Sequence, residues 1–215
     1  MPSGSAPKSG ESSNSPGGTH PRGTASHGQC RRATSSALRY SRPFHDLTSL
    51  TAGELHALLQ LRSRVFVVEQ QCVFLEIDGR DPDAFHLLGT VREPLPEPAG
   101  SVGVHGAGGD EPSPEARRHG DAYLAAYARV FAPGIRYPDA SCIGRVITHP
   151  SMRGTGAGRA VMREAIAACE SRWPGVPIGL EAQQHLEGFY GSLGFRTTGA
   201  MYLEDGIPHV PMRRG

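Results

Sequence analysis

The stretch that decides the fold is SCIGRVITHPSMRGTGAGRAVM, residues 141–162. Its apolar first part predicts a strand over 141–148, and its last part opens an amphipathic helix predicted over about 156–171. Alternate glycines from Gly154 to Gly158 lie between them, where the lack of a Cβ lets the backbone bend sharply and approach a ligand closely. The free N–H groups and the positive dipole end of the helix face the same place. This combination predicts an anion site, most naturally for phosphate.

The composition around this stretch is that of a polar globular chain. Of the 215 residues, 20% are charged and 38% hydrophobic, and the formal net charge is +1, which gives no overall preference for nucleic acid. No apolar run approaches the roughly 20 residues of a membrane span, and the N-terminus lacks the apolar core of a secretory signal. We therefore expect a cytoplasmic protein with no membrane association and no nucleic-acid partner.

The cysteines exclude two kinds of small stabilised domain. Cys30, Cys72, Cys142 and Cys169 are widely spaced and form no Cys-x-x-Cys pair. A disulfide framework or a zinc ribbon needs closely spaced or paired cysteines, so we expect buried, reduced thiols instead.

The chain divides into a tail and one domain. Residues 1–43 are rich in Ser, Gly, Pro and Thr, with almost no aliphatic side chains before Leu38, and predict a disordered tail. Its basic pair Arg31 and Arg32 is more typical of a solvated tail than of a nucleic-acid contact. A single domain is expected over 44–215. Residues 93–120, rich in Pro, Gly, Glu and Arg, predict a flexible surface insertion within that domain.

Periodicity predicts the order of elements on both sides of the glycine turn. Thr51 and Glu54 have the spacing of a capping box, which opens a helix that should end where the β-branched run 65–70 begins. Further strands are predicted over 84–91, 123–130, 177–182, 195–198 and 208–213, and a further helix over 183–193. This order predicts an α/β (mixed α+β) domain, with one mixed sheet and helices on its faces.

Three kinds of phosphate-binding turn could account for the glycines. A Walker-A loop needs Lys followed by Ser or Thr after its last glycine, whereas Arg159 and Ala160 stand there. A dinucleotide fingerprint needs the spacing Gly-x-Gly-x-x-Gly and an acidic residue about 20 positions later, and neither is present in the required place. The sequence therefore argues against an NTPase and against a dinucleotide-binding enzyme.

The third kind matches. Residues 153–158, RGTGAG, resemble the Gln/Arg-x-x-Gly-x-Gly/Ala signature of the GNAT superfamily of acyl-CoA-dependent N-acyltransferases. Residues 186–195, LEGFYGSLGF, resemble the second motif of that superfamily, a helix bearing Phe-Tyr followed by Gly-Phe. Four further segments are similar to the ElaA-like subfamily: LRSRVFVVEQ (61–70), DGRD (78–81), IGRV (143–146) and EDGIPH (204–209). The resemblance implies a single GNAT-like domain, whose mostly antiparallel sheet is splayed at the acyl-CoA site and has helices on both faces.

The resemblance also implies which residues bind the co-substrate, acetyl-CoA, without a metal. The edge of the strand before the turn pairs with the pantetheine arm in this superfamily, and the turn N–H groups hold the pyrophosphate. By motif position the strand residues are Val146, Ile147 and Thr148. The turn residues are Arg153, Gly154, Thr155, Gly156, Ala157, Gly158 and Arg159.

Acyl transfer also needs groups that move protons. Tyr190 occupies the position where the superfamily often has the acid that protonates the leaving thiolate, and core packing beside Phe189 is the alternative. The base that takes a proton from the amine is left open between Glu181, Glu69 and His209. Each of these three is as readily a salt-bridged or surface residue.

Carboxylates near the first helix suggest what the acceptor is. Glu69, Asp78 and Asp81 could attract a cationic amine, of a small molecule or a peptide. The acidic loop 76–83 lacks the ligand spacing of an EF-hand, so no calcium site is predicted. We expect an N-acetyltransferase acting on an unidentified amine; a non-catalytic acyl-CoA-binding or sensing module is the alternative. The sequence does not determine the oligomeric state, and a homodimer is compatible with it.

Overall fold

The structure is a computed structural model that describes residues 38–40, 44–72, 74–95, 118–119 and 122–215, the pair 118–119 by its backbone alone. These residues belong to one compact unit, Arg32–Gly215. Most of the predicted tail and most of the predicted insertion 93–120 lie outside the described residues. The tail boundary predicted at residue 43 is too late, because Arg39–Tyr40 form a strand. This strand pairs beside Gly89, whose missing Cβ leaves room for the Tyr40 ring.

The strands are β1 (Arg39–Tyr40), β2 (His45–Asp46), β3 (Ala84–Val91), β4 (Arg118–His119), β5 (Ala122–Phe131), β6 (Ser141–Thr148), β7 (Ile178–Gln183), β8 (Arg196–Thr197), β9 (Tyr202–Glu204) and β10 (Ile207–Arg214). The helices are α1 (Ala52–Arg62), α2 (Ala157–Arg172) and α3 (Glu187–Gly191). A π-helix, Ser63–Glu69, extends α1, and 3-10 turns occupy Leu47–Ser49, Asp81–Asp83, Pro150–Met152 and Gln184–Leu186.

The described strands form one mixed sheet in the order β1-β3-β5-β6-β7-β10-β8, with β2, β4 and β9 paired at its sides. Every pair is antiparallel except β6 with β7. That parallel pair is joined by α2, as a parallel connection requires a crossover. The α/β class and the mostly antiparallel sheet predicted from the sequence are confirmed.

Helices cover both faces of the sheet. On one face α2 packs Val161, Met162 and Ala165 against alternate β5 residues such as Ala126 and Ala128. On the other face α1 packs against the residues that point the opposite way, including Tyr127 and Leu88. Because side chains alternate across a strand, β5 is buried on both sides, and its burial is nearly continuous along its length.

Two element predictions are wrong in detail. The β-branched run was expected to end the first helix, but Ser63–Glu69 continue it as a π-helix, with the Gln70 N–H donating to Val65 O at 3.0 Å. Val65 is buried against the sheet, so tertiary packing outweighs its weak helical propensity. The predicted helix 183–193 is instead a 3-10 turn followed by the short α3. Tyr202–Glu204, for which no element is predicted above, pair with β10 as a hairpin.

Candidate active site

The sheet opens between β6 and β7. The two strands pair only at Ser141 with Ile178 and at Cys142 with Gly179. Beyond these pairs, β7 continues beside β10, while the edge of β6 from Ile143 to Thr148 has no partner strand on the β7 side among the described residues. The cleft therefore has a wall of backbone N–H and C=O groups that a ligand can pair with.

A bulge in β6 shapes this wall. Opposite β5, the register moves from Tyr127↔Ile147 to Arg129↔Gly144, so β6 has one extra residue there. Arg145 lies in the bulge with φ +49°, the left-handed region that non-glycine residues rarely adopt. The extra residue changes which side chains face which helix.

The turn after β6 presents its amides to the same end of the cleft. Gly154 and Gly156 have φ values of +73° and +89°, which glycine adopts without the strain a Cβ would cause. The Ala160 N–H donates to Gly156 O at 3.0 Å and so begins the hydrogen bonding of α2. Within the described residues, the N–H groups from Gly156 to Arg159 have no acceptor, as expected for the start of a helix. Unpaired amides at a helix start are the kind of group that binds an anion.

Two arginines near these amides have different partners. Arg153 donates two hydrogen bonds to Glu69, at 2.6 and 2.8 Å, in an exposed ion pair. The guanidinium of Arg159 lies 5.5 Å from the centre of the Phe189 ring. A methyl group at Gly158 would lie 3.8 Å from Thr148 Cγ2 and 3.9 Å from Phe189 Cζ, so β6, α2 and α3 converge at this point.

Tyr190 of α3 is buried in the core of the domain. It belongs to the apolar cluster that contains Ile143 of β6 and Leu180 of β7, the first residues beyond the paired segment. Its ring contacts Phe189 and Phe195 edge-on, and burial raises its pKa to about 12. Among the described residues, none hydrogen-bonds its hydroxyl. A buried, neutral phenol with an uncommitted O–H is suited to donate a proton or a hydrogen bond.

Glu181 lies on β7, one residue beyond Leu180, and is held by two tyrosines. The Tyr137 hydroxyl donates to Glu181 Oε1, and the Tyr202 hydroxyl donates to Oε2 at 2.7 Å. Burial and this carboxylate raise the pKa of both tyrosines, so both remain donors at neutral pH. The two hydrogen bonds fix the carboxylate in place.

His209 lies on β10 opposite Gln183 of β7. Its Nδ1 is 2.8 Å from Ile207 O, and because a carbonyl can only accept, Nδ1 is the protonated nitrogen. In the neutral ring, Nε2 is then free to accept a proton, and it lies 4.0 Å from Glu204 Oε2. Glu69, the third candidate base, lies at the end of the π-helix and is engaged by Arg153.

Asp78 and Asp81 are placed differently from what an acceptor-binding role requires. Asp81 is 5% exposed and accepts hydrogen bonds from Arg62 at 2.7 Å and Arg129 at 2.9 Å. Asp78 receives two hydrogen bonds from Arg129. These arginines hold the pKa of both carboxyls well below the usual range, against the opposing effect of burial. The two aspartates are neutralised by the protein itself, which argues against attraction of a cationic substrate.

Other features of the described residues bear on the remaining expectations. None of the described helices is both long and apolar enough to cross a bilayer. No group of three or more His, Cys, Asp or Glu within the described part of the chain is arranged to hold a metal ion. Cys72, Cys142 and Cys169 are buried and free, and Cys30 lies outside the described residues.

Comparison with known proteins agrees with this geometry. The model of a family described as "Acetyltransferase (GNAT) domain" matches residues 115–214. Protein ElaA of Escherichia coli K12 is 36% identical over 169 residues, which is 78% of this chain and 91% of that protein. The chain belongs to the ElaA-like family of the GNAT superfamily. A UPF0039 protein of Synechocystis is 35% identical over 170 residues, 79% of this chain and 89% of that protein.

Solved structures of this family share the fold. An acyl-CoA N-acyltransferase from Pseudomonas aeruginosa has 36% identity and a TM-score of 0.63, covering 83% of this chain and 99% of that one. The Escherichia coli ElaA crystal structure has 33% identity and the same TM-score of 0.63, with the same two coverages. Membership in this superfamily supports acyl-CoA-dependent N-acyl transfer as the general activity of this protein.

Two features of the site were missed from the sequence. Gly144 inside an apolar strand is a signal for a bulge, and it would have drawn attention to Arg145 beside it. The tyrosines that hold Glu181 had no such signal, because Tyr137 and Tyr202 are 44 and 21 residues away from it in the chain.

Proposed function

We propose that this protein transfers an acetyl group from acetyl-CoA to an amine by direct attack. The observation that carries the proposal is the juxtaposition on one β6–turn–α2 unit of an unpaired strand edge and a run of unpaired helix-start amides. An elongated ligand with a diphosphate at one end and amide groups along its length matches both parts.

The chain's own groups fit such a ligand. The N–H groups from Gly156 to Arg159 are suited to the diphosphate, with Arg159 nearby as a cation. The edge of β6 that faces away from β5 along Val146, Ile147 and Thr148 is suited to the amides of the pantetheine arm. Arg153 would add charge once it leaves Glu69. In the proposal acetyl-CoA is a substrate, and no metal takes part.

The transfer itself needs three chemical contributions. The amine nitrogen attacks the thioester carbonyl carbon, a C–N bond forms, and the C–S bond breaks. A backbone N–H of the bulged β6 edge stabilises the negative charge that develops on the carbonyl oxygen. Tyr190 gives a proton to the departing thiolate, and a base removes the proton that the amine loses.

Glu181 and His209 are the proposed alternatives for the base, acting directly or through a water molecule. Both have an oxygen or nitrogen that can accept a proton, on the neighbouring strands β7 and β10. The ion pair with Arg153 makes Glu69 the weakest of the three candidates, and gives it a role in orienting that arginine instead. Glu181→Gln and His209→Gln would separate the two, because only the variant of the base should lose most of kcat.

The experiment is acetyl transfer by the purified protein to a panel of amines, followed by release of free thiol from acetyl-CoA. We expect amine-dependent release with the native protein and a large loss with Tyr190→Phe. Tight binding of acetyl-CoA without release above the Tyr190→Phe background, over a broad panel, would favour the non-catalytic acyl-CoA-binding module instead. The assay does not depend on which amine is the natural acceptor. A cytoplasmic location and a homodimeric state stay predictions that it does not test.

A further inference from the structure

Arg145 has an unusual backbone for its residue type. It lies in the β6 bulge with φ +49°, within the open edge from Ile143 to Thr148 and immediately before Val146. A non-glycine residue keeps this conformation only when its surroundings over-determine it, and such residues concentrate at functional sites. The question is therefore what holds Arg145 in place.

The side chain of Arg145 is held on several sides. Its Nε lies 3.0 Å from Glu76 Oε2, and its NH2 lies 3.6 Å from Asp78 Oδ2. The guanidinium carbon is 5.5 Å from the centre of the Phe66 ring and 5.1 Å from that of Phe74, close enough for attraction to both ring faces. The side chain is only 25% exposed.

The carboxylates that hold Arg145 also pair with two more deeply buried arginines, Arg62 and Arg129. Arg62, with 0% of its side chain exposed, donates from Nε to Glu76 Oε1 at 2.5 Å. Arg129 donates to both oxygens of Asp78, at 2.8 and 2.7 Å. With Asp81, which joins Arg62 to Arg129, the cluster has three arginines and three carboxylates, so its formal charges cancel. Ion pairs therefore link all six side chains, although Glu76 Oε2 and Arg129 Nε make no hydrogen bond within the described residues.

We propose that Arg145 is a positioning residue for acyl transfer. Its ion pairs with Glu76 and Asp78 hold the bulge in the conformation that aims the N–H groups of the following residues into the cleft. The inference rests on the proposed function, because it assigns those N–H groups to the thioester carbonyl. It predicts that Arg145 affects the polarisation of the carbonyl and the rate, while the turn amides retain the affinity.

The test uses acetyl-CoA labelled with ¹³C at the carbonyl, whose NMR shift moves downfield when a hydrogen bond polarises the C=O. With Arg145→Ala we expect the dissociation constant of acetyl-CoA to change less than about 3-fold, while most of the bound-state shift disappears. The kcat of amine acetylation should fall about 10-fold or more, since small misplacements of reacting groups have effects of this size. Arg145→Lys, which keeps one charged contact with the carboxylates, should recover part of both.

Controls separate this role from a loss of folding. Glu170→Gln removes the partner of another arginine, Arg214, in an ion pair on α2 far along the chain, and should change neither readout. All variants should keep the native circular dichroism spectrum. An unchanged carbonyl shift and kcat in folded Arg145→Ala would overturn the proposal, as would equal losses in Arg145→Lys and Arg145→Ala accompanied by equal losses of affinity.

A second readout keeps the inference separate from the proposed function. If native protein fails to bind acetyl-CoA, the proposed function is wrong, whereas the amide ¹H–¹⁵N shifts of residues 146–148 still report on the bulge. Arg145→Ala should move these shifts and Arg145→Lys should restore them in part. Unchanged shifts in Arg145→Ala would overturn the positioning role directly.

Discussion

The two flanks of β7 differ, although they belong to one six-residue strand. On one side β7 pairs with β10 at six consecutive positions, from Ile178↔Arg214 to Gln183↔His209. On the other side it pairs with β6 at two positions and then separates from it. The first flank satisfies its backbone groups within the sheet, whereas on the second flank β6 beyond Cys142 does not pair with β7.

This difference shows which strand edges contribute backbone pairing to the stability of the sheet and which do not. A closed antiparallel flank needs only complementary strands, whereas an open flank must be held apart. Glu76 links Arg62 to Arg145 in the bulge, and Tyr190 of α3 belongs to the apolar cluster that includes Ile143 of β6 and Leu180 of β7. Changes at the open flank should therefore affect binding and rate, whereas changes at closed-flank residues other than the candidate bases Glu181 and His209 should affect stability alone.

The largest expected effect is at Tyr190. Tyr190→Phe removes the proposed acid and should lower kcat for acetyl transfer by about 10² to 10⁴-fold, with little change in stability. Tyr40→Phe is the matched control, since its hydroxyl is also buried with no hydrogen-bond partner among the described residues but lies on β1. Equal kcat values for the two variants in steady-state assays would break the comparison.

The raised pKa of Tyr190 gives this prediction a pH dependence. Burial favours the neutral phenol and raises its pKa to about 12, so the acid stays protonated as pH rises through the ordinary tyrosine value of about 10. Deprotonation of Tyr190 should therefore cause no loss of kcat between about pH 8 and 10. A fall in kcat over that range that is abolished by Tyr190→Phe would contradict the environment assigned to this side chain.

The next effect concerns the buried ion pairs of Arg62 with Glu76 and Asp81. Arg62→Ala leaves Glu76 and Asp81 buried without their main partner, which should lower the free energy of unfolding by about 3–5 kcal/mol. Arg213→Ala breaks an exposed pair with Asp139 on the closed flank, and should cost about 1 kcal/mol or less. Urea denaturation measures both, and similar losses would mean that the network is not the main support.

Acidification should weaken the same network. The pKa values of Asp78 and Asp81 are lowered in the folded state, so their contribution to stability is present above about pH 4 and is lost as pH falls through the folded values. Urea midpoints measured from pH 6 down to 3 should decrease in the native protein and decrease less in Arg129→Leu. Parallel curves would contradict the assignment of the lowered pKa values to these ion pairs.

A smaller effect is expected at the glycine turn. Gly156→Ala puts a Cβ on a residue with φ +89°, which should cost about 1 kcal/mol of stability and weaken acetyl-CoA binding about 10-fold as the amides shift. Gly175→Ala, at φ +76° with free space around it, should cost similar stability without loss of affinity. Calorimetric titration of both variants with acetyl-CoA makes this comparison, and equal affinities would exclude the turn as the phosphate site.

The smallest effect is at the exposed pair of Glu69 and Arg153. Glu69→Gln frees the guanidinium for the phosphates and should tighten acetyl-CoA binding by up to about 5-fold, as expected for an exposed ion pair. Arg153→Ala should weaken binding by a similar factor, and both changes should shrink at high salt. Weaker binding in Glu69→Gln would show that this carboxylate does not compete with the ligand.

Local signals in the sequence predicted much of this arrangement. The strand over 141–148 occupies the predicted residues, α2 lies within a residue of its predicted start, and Thr51 and Glu54 form the predicted capping box. Each of these depends on neighbouring residues, so the pattern is contained in a short segment.

The rest depends on contacts between distant residues. Arg62 meets Glu76 and Asp81 across 14 and 19 residues, and its partners could not be identified from spacing alone. The same holds for the tyrosines that fix Glu181. Asp78 and Asp81 were predicted to face a substrate because their charge was visible in the sequence, whereas the arginines that neutralise them were not recognisable as partners.

The most direct test of the open-flank account is amide hydrogen exchange of the native protein with and without acetyl-CoA. We predict that the ligand slows exchange on the open edge from Val146 to Thr148 and in the turn from Gly156 to Arg159, and leaves Val210 to Arg214 on the closed flank unchanged. Protection confined to other parts of the molecule, or spread equally over β10, would contradict the account.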